Sequence, residues 1–350
     1  MPIPHPPSDI RHPAPLWRNI SFTLMWTSTA ASGFGDRMIM LGAWALLGGM
    51  IEGTSDSTSI QASTQFFFFL PYILISLPGG WLADRLPRKW LLLGCDEIRG
   101  LILLLAFFAV ASASGPANIP DDHHWKVHLA LAAIGTFAAI FNPTRNAIIP
   151  QIIPTPQLQS GNAVILVINV VASMIGMVVG GVIIQADQAV SVRHGLLMGA
   201  LFYLVSGTFF AFLRPTRSKQ AAAHAEPRSF WQASRYIVRH KSIVVLIGLG
   251  VLVWSSAAAV SSGIPGVVKG HFNLQSDDLK NAFTTISAVM GIGLLAGAGL
   301  VMAVRTRKES PALTLAALAM VGGVCCCSCS CPGCRRRTRR LFALACSETS

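Results

Sequence analysis

Apolar residues run along this chain in long blocks. Eight stretches, residues 20–49, 60–83, 90–113, 127–149, 162–186, 195–213, 243–264 and 282–304, are close to or longer than the roughly 20 residues that carry a helix across about 30 Å of hydrocarbon. A ninth opens at Ala312 and reaches Val324, where a cysteine-rich run interrupts it. In lipid a single segment satisfies its backbone hydrogen bonds only as a helix. The pattern therefore predicts an all-α, polytopic membrane helix bundle. The proline-rich leader, 1–19, is no signal peptide, since the apolar run after it is too long and continues into further spans. It is expected to be a disordered cytoplasmic arm.

The polar intervals set topology and domain organisation. With the N-terminus inside, the internal intervals carry Arg85, Arg88 and Lys89, then Arg214, Arg217, Lys219, Arg228, Arg235, Arg239 and Lys241, then Arg305, Arg307 and Lys308. The external ones carry Lys126, Arg193, Lys269 and Lys280 among the acidic Glu52, Asp56, Asp121, Asp122, Asp187, Asp277 and Asp278. Cationic loops stay cytoplasmic. The longest interval, 214–241, reads as a basic linker between a six-helix bundle, 20–213, and a partial second bundle, 242–324, followed by an anomalous tail, 325–350.

Composition agrees. Hydrophobic residues make up 52% of the 350 and charged residues 12%, against about 25% charged in an ordinary soluble domain. The formal charge of +12 belongs to topology-setting loops, so a nucleic-acid partner is not implied. Seven of the 8 cysteines lie between Cys325 and Cys346, leaving Cys95 alone in the body. No disulfide framework is expected there.

The segment Gly80-Trp-Leu-Ala-Asp84-Arg85-Leu-Pro87-Arg88-Lys89 resembles the signature loop of the major facilitator superfamily, with Pro87 where a glycine is usual. After the eighth span, Gly299 to Lys308 echoes it at the same offset, with Ala303 in place of the aspartate. Two further stretches, Ser32-Gly-Phe-Gly35-Asp36 and Phe141-Asn-Pro143-Thr-Arg145-Asn-Ala147-Ile-Ile-Pro150 followed by Leu158 to Ala163, resemble the branch of enterobactin exporters, macrolide exporters and lysophospholipid transporters. The likeness covers about residues 17–310. It implies two six-helix halves, of which about eight or nine helices are present here, working by alternating access on a small-molecule substrate with a proton or sodium gradient and no cofactor. Gly176, Gly180 and Gly181 resemble a glycine-rich antiporter motif, but Met177 stands where that motif has proline. This argues against proton-coupled drug antiport.

Candidate residues follow from the cost of charge in lipid. Asp36 lies midway along the first span, where a charge costs roughly 2.5–3.5 kcal/mol on insertion scales, so it is a candidate coupling or substrate-orienting group. Arg37 is the second such candidate, but it points about 100° away round the helix. Alternatively the span starts later than Ile20, and Arg37 snorkels at a boundary. Gly80, Asp84, Arg85, Arg88 and Lys89 form the candidate gating loop, which the resemblance implies latches the halves; a solvated topology loop is the alternative. Asp96 and Arg99 lie three apart on one helical face. With Asp84 and Arg145 they make a charge network, or else a local pair alone. Gly176, Gly180 and Gly181 suit close helix packing. His123 and His124 beside Asp121 and Asp122 lack metal-ligand spacing and read as a solvated turn.

The function expected is a secondary active transporter in the cell (inner) membrane, exporting a small amphipathic molecule such as a siderophore, drug or lysolipid. No phosphate-cradling loop, nucleophile elbow or zinc-hydrolase helix is present in the sequence, so no enzyme is expected. The alternatives are a frameshifted, inactive fragment and a channel or membrane sensor. The fragment reading rests on the tail: Arg335 to Arg340 violate the orientation of the other loops. A Cys/Ser run encoded by TGC and TCC codons would also read as leucine in the adjacent frame.

Overall fold

A computed structural model describes residues 16–48, 57–111, 123–184 and 189–214, with scattered positions between 235 and 296. The chain divides into two compact units, one of residues 1–236 with 262–298 and one of 237–261 with 299–350. Among the described residues the first contains α1 (Ile20–Leu46), α2 (Ser57–Arg85), α3 (Arg88–Ala111), α4 (His124–Ile152), α5 (Leu158–Ile183) and α6 (Ala189–Ala211). In the second, only scattered positions such as Val238 and Val244 are described, and these are helical. The expected spans 243–264, 282–304 and 312–324, the linker and the tail lie outside the described residues apart from such positions.

Local chemistry sets the helix ends. The Asn19 side chain caps α1 by accepting from Phe22 N at 3.2 Å, and its amide donates to the Ile152 carbonyl at 2.9 Å, tying the start of α1 to the end of α4. Past the other end of α1, Gly48 takes a φ of 77° that glycine adopts without strain. Pro87 separates α2 from α3, and its carbonyl accepts from Trp90 N at 3.0 Å and Leu91 N at 3.2 Å. Ile153 is extended ahead of Pro154, as proline demands of the residue before it. A short 3-10 turn, Thr155–Gln157, then leads straight into α5. That helix begins four residues before the expected 162 and runs through the buried Gly161. Proline also bends α2, by 60° between Ser59–Ile75 and Pro78–Arg85.

Three described helical stretches, His124–Ile152, Thr155–Ile183 and Val190–Ala211, are long and apolar enough to cross a membrane, and the bent α2 makes a fourth. The apolar runs of α1 and α3 are interrupted by Asp36 and Arg37 and by Asp96, Glu97 and Arg99. Within the helices, hydroxyls bond back one turn: Ser28 to the Leu24 carbonyl at 2.7 Å, Thr29 to Met25 at 2.9 Å and Thr144 to Ile140 at 2.7 Å. This satisfies them where water is absent.

Packing pairs α1 with α5 and α6, α3 with α4 and α6, and α2 with α4. Two apolar cores result. One gathers Trp44, Leu103, Leu131, Ile134 and Leu196, the other Phe22, Met25, Leu92, Phe141, Ile148 and Phe210. Each core draws on α1, α3, α4 and α6, one from each end of these helices. Between the two lie Ser28 to Asp36 on α1, Asp96 and Arg99 on α3 and Ser206 on α6. The bundle therefore carries a polar layer between two greasy ones.

Candidate functional site

Arg99 organises that layer. Its side chain is 1% exposed and pairs with two carboxylates, Asp36 through Nη2 and Asp96 through Nη1 at 2.8 Å. Asp96 is wholly buried, and every donor it needs is at hand. Ser32 Oγ donates to its Oδ1 at 3.2 Å while accepting from Arg99 at 3.0 Å, and Ser206 Oγ lies 2.5 Å from its Oδ2. Asp36 differs in being 34% exposed. Tyr203 on α6 donates to its Oδ1 at 2.6 Å, accepts from Arg99 Nη2 at 3.0 Å and lays its ring 4.2 Å from the guanidinium carbon. Asp36 Oδ2 accepts no hydrogen bond among the described residues.

The chemistry of the pair follows from burial. A charge left alone in such a layer costs several kcal/mol, a cost that the Arg99–Asp96 pair removes for the wholly buried Asp96. Asp96 is thus the closed, structural carboxylate, and Asp36 the one with an open oxygen. Glycines make the geometry possible. A Cβ on Gly35 would lie 2.9 Å from Tyr203 Cζ, and one on Gly33 would lie 2.9 Å from Asn169 Oδ1.

Arg145 and Arg99 both lie 5.8 Å from the centre of the Phe141 ring. Arg145 has no carboxylate within ion-pair distance among the described residues, and its buried Nε has no partner. On α2, the Tyr72 hydroxyl accepts from the Asn142 amide at 2.9 Å. Arg37 makes no bond to Asp36. It packs its stem against α5, where a Cβ on Gly176 would lie 3.1 Å from Arg37 Cβ.

Asp84 is not part of this layer. It pairs with Arg88 at 3.3 Å one turn on, the two side chains being 76% and 26% exposed. Arg88 also donates to the Ala147 carbonyl on α4 at 2.8 Å and to Ala83 at 3.3 Å, so the α2–α3 turn is tied to α4. Arg85 covers the Trp81 ring at 4.2 Å and Lys89 the Trp90 ring at 5.3 Å. A Cβ on Gly80 would meet nothing within 4 Å, whereas one on Gly180 would lie 2.6 Å from both Leu41 and Met38. Gly181 is buried on the same helix. His123 precedes α4 and His124 opens it; Asp121 and Asp122 lie outside the described residues.

Sequence reasoning singled out Asp96, Arg99 and Asp36 without joining Asp36 to the other two, and it did not single out Ser32, Tyr203 or Ser206 as partners. A signal existed for the tyrosine: the chain has only 3, and two of them, Tyr72 and Tyr203, interrupt apolar spans.

Six described helices, three or four of them long and apolar enough to cross a membrane, surround a buried ion cluster, as in a multi-pass membrane protein. The chain belongs to the Major Facilitator Superfamily, whose family model matches residues 25–333. Among its relatives, the uncharacterized MFS-type transporter YfiS of Bacillus subtilis is 24% identical over 198 residues, 56% of this chain and 42% of that protein. The uncharacterized MFS-type transporter YkuC of the same organism is 21% identical over 293 residues, 81% of this chain and 64% of that protein. The lysophospholipid transporter LplT of Photorhabdus laumondii is 27% identical over 143 residues, 41% of this chain and 31% of that protein. The chain spans less than two thirds of the length of each.

Proposed function

We propose that this chain supplies the first six-helix bundle and part of the second half of a secondary transporter in the cell (inner) membrane, with its N-terminus in the cytoplasm. It exports a small amphipathic molecule by alternating access, drawing on a proton or sodium gradient. The observation that carries the reading is Asp36: a half-exposed carboxylate in the polar layer, fixed by a buried arginine and a tyrosine from two other helices. A carboxylate so placed is paired with Arg99, yet presents one open oxygen to an ion or substrate. Family membership supports transport as the activity. Among the substrate classes, a lysolipid gains support from the likeness to a lysophospholipid transporter.

The Arg88 tie from the α2–α3 turn to α4 supports a gating role for the loop 80–89. A latch needs a bond across helices that can be made and broken, and Arg88 to the Ala147 carbonyl is such a bond.

The test is efflux from proteoliposomes holding the full chain under an imposed proton or sodium gradient. A fluorescent lysophosphatidylethanolamine, ethidium and a catecholate siderophore serve as probes. Gradient-driven efflux of at least one, lost in Asp36→Asn, is expected. Passive leak alone for all three would overturn the reading, as would undiminished flux in the variant.

A further inference from the structure

The first two turns of α4 carry imidazoles that the polar layer does not use. His124 opens the helix and His128 stands four residues on, so the two side chains share one face, one turn apart. His123 precedes the helix and falls off that face. The spacing that counts for a metal therefore joins His124 to His128, as in the paired histidines with which metalloprotease helices grip zinc.

Hydrogen bonding prepares His128 as a ligand. The Ser63 hydroxyl on α2 gives its one proton to the Ile60 carbonyl at 2.9 Å and lies 3.4 Å from His128 Nε2, a long contact. A hydroxyl whose proton is committed can only accept, so a neutral imidazole here carries its proton on Nε2 and a bare lone pair on Nδ1. Among the described residues no donor meets that lone pair. The Phe67 ring stacks on the imidazole, 4.3 Å between centroids and 27° between planes, and steadies its orientation. One nitrogen tied to an oxygen acceptor and the other bare is the state in which ligating histidines are held.

The surroundings select the ion. Imidazoles suit copper(II) and zinc, in that order of affinity, whereas magnesium and calcium take oxygen ligands. Trp125 and Leu129 beside the pair are exposed, so an ion reaches it without entering the bundle. Lys126 falls on the opposite side of the helix, over the Trp125 ring at 5.9 Å. Among the described residues no cluster of three or more His, Cys, Asp or Glu forms a fuller set. Water completes the coordination, and the ion exchanges.

We propose that His124 and His128 form a two-imidazole site for a copper or zinc ion at the start of α4, with Ser63 as the positioning residue that orients His128. The site is separate from the polar layer and does not rest on the transport reading. The orientation proposed above puts it on the external side of the membrane.

The test uses the full chain in nanodiscs, with the 7 tail cysteines changed to serine and zinc binding read by calorimetry. The parent should bind zinc at least about tenfold tighter than His124→Gln or His128→Gln. The double variant should be no weaker than either single one, because an imidazole left alone no longer chelates. His123→Gln should bind as the parent does. Ser63→Ala should weaken binding about tenfold or more while both nitrogens stay on the ion, seen with copper(II) in the nitrogen splittings of its paramagnetic resonance spectrum. His128→Cys, which keeps a ligand, should recover zinc and shows that loss in His128→Gln is not misfolding. Equal zinc affinity in the parent and the double variant, an equal loss in His123→Gln, or a single-nitrogen copper(II) spectrum in the parent overturns the proposal.

Discussion

Gly35→Ala tests whether the polar layer is held together as its geometry indicates. The added methyl would lie 2.9 Å from Cζ, 3.0 Å from Cε1 and 3.1 Å from Cδ1 of Tyr203, all shorter than ordinary contact. One edge of the ring is met at three atoms, so a small rotation cannot relieve it, and Tyr203 is fully buried with nowhere to retreat. Overpacking of this kind costs about 1–3 kcal/mol. Displacing the ring also stretches the hydroxyl's bonds to Asp36 and Arg99, and a bond to a charged group is worth about 1.5–3 kcal/mol. Together these give about 2.5–6 kcal/mol, or a midpoint roughly 5–24 °C lower in thermal unfolding of the purified chain. Gly80→Ala is the control, since its Cβ meets nothing within 4 Å, and its midpoint should not fall. In a Tyr203→Leu background the ring is gone, and the cost of Gly35→Ala should drop below about 1 kcal/mol, a coupling that a double-mutant cycle reads directly. Equal midpoints for Gly35→Ala and the parent, or a cost that persists without Tyr203, would refute the reasoning.

Arg99→Ala leaves the buried Asp96 unpaired and should destabilise the bundle by about 3–5 kcal/mol, seen as loss of monodisperse protein on mild heating; stability like that of the parent would mean Asp96 is compensated elsewhere. Asp36→Asn keeps an acceptor for Tyr203 and lies at the half-exposed edge, so insertion and folding should persist while most flux is lost. Arg88→Ala removes the bond to the Ala147 carbonyl and should shift the resting state toward inward-facing, with Asp84→Asn slowing the cycle; equal two-sided cysteine labelling in variant and parent argues for a topology loop alone. Gly135→Ala would push a methyl into the Phe68 carbonyl, which is backbone and cannot yield, so the α2–α4 contact should loosen more than with any single side-chain clash.

The helices were legible because their apolar blocks are long and their ends carry proline or asparagine. Asp36, Asp96 and Arg99 were legible because charge in an apolar span is costly, and the spacing of Asp96 and Arg99 fixes a shared face. Which partner Asp36 would take was not. Arg37 is adjacent in sequence yet turned away, and Arg99 reaches Asp36 only because α1 and α3 both pack on α6. Tyr203 and Ser206 carry no formal charge, so nothing in a charge pattern marks them. Asp84 was drawn toward the network by its sign, but the turn at Pro87 sets Arg88 one helical turn away, and that shorter reach wins. Gly80 likewise matches a motif without filling a tight contact within the described residues.

Alternating access requires the polar layer to open to each side of the membrane in turn. Asn142 lies half-buried beside Tyr72 in that layer, and Cys95 is buried. With the 7 tail cysteines changed to serine, Asn142→Cys in sealed proteoliposomes gives one reactive thiol for a membrane-impermeant maleimide. Labelling from both faces is expected, with an imposed gradient and bound cargo shifting the ratio between them. Labelling from one face only, unmoved by gradient or cargo, would contradict alternating access.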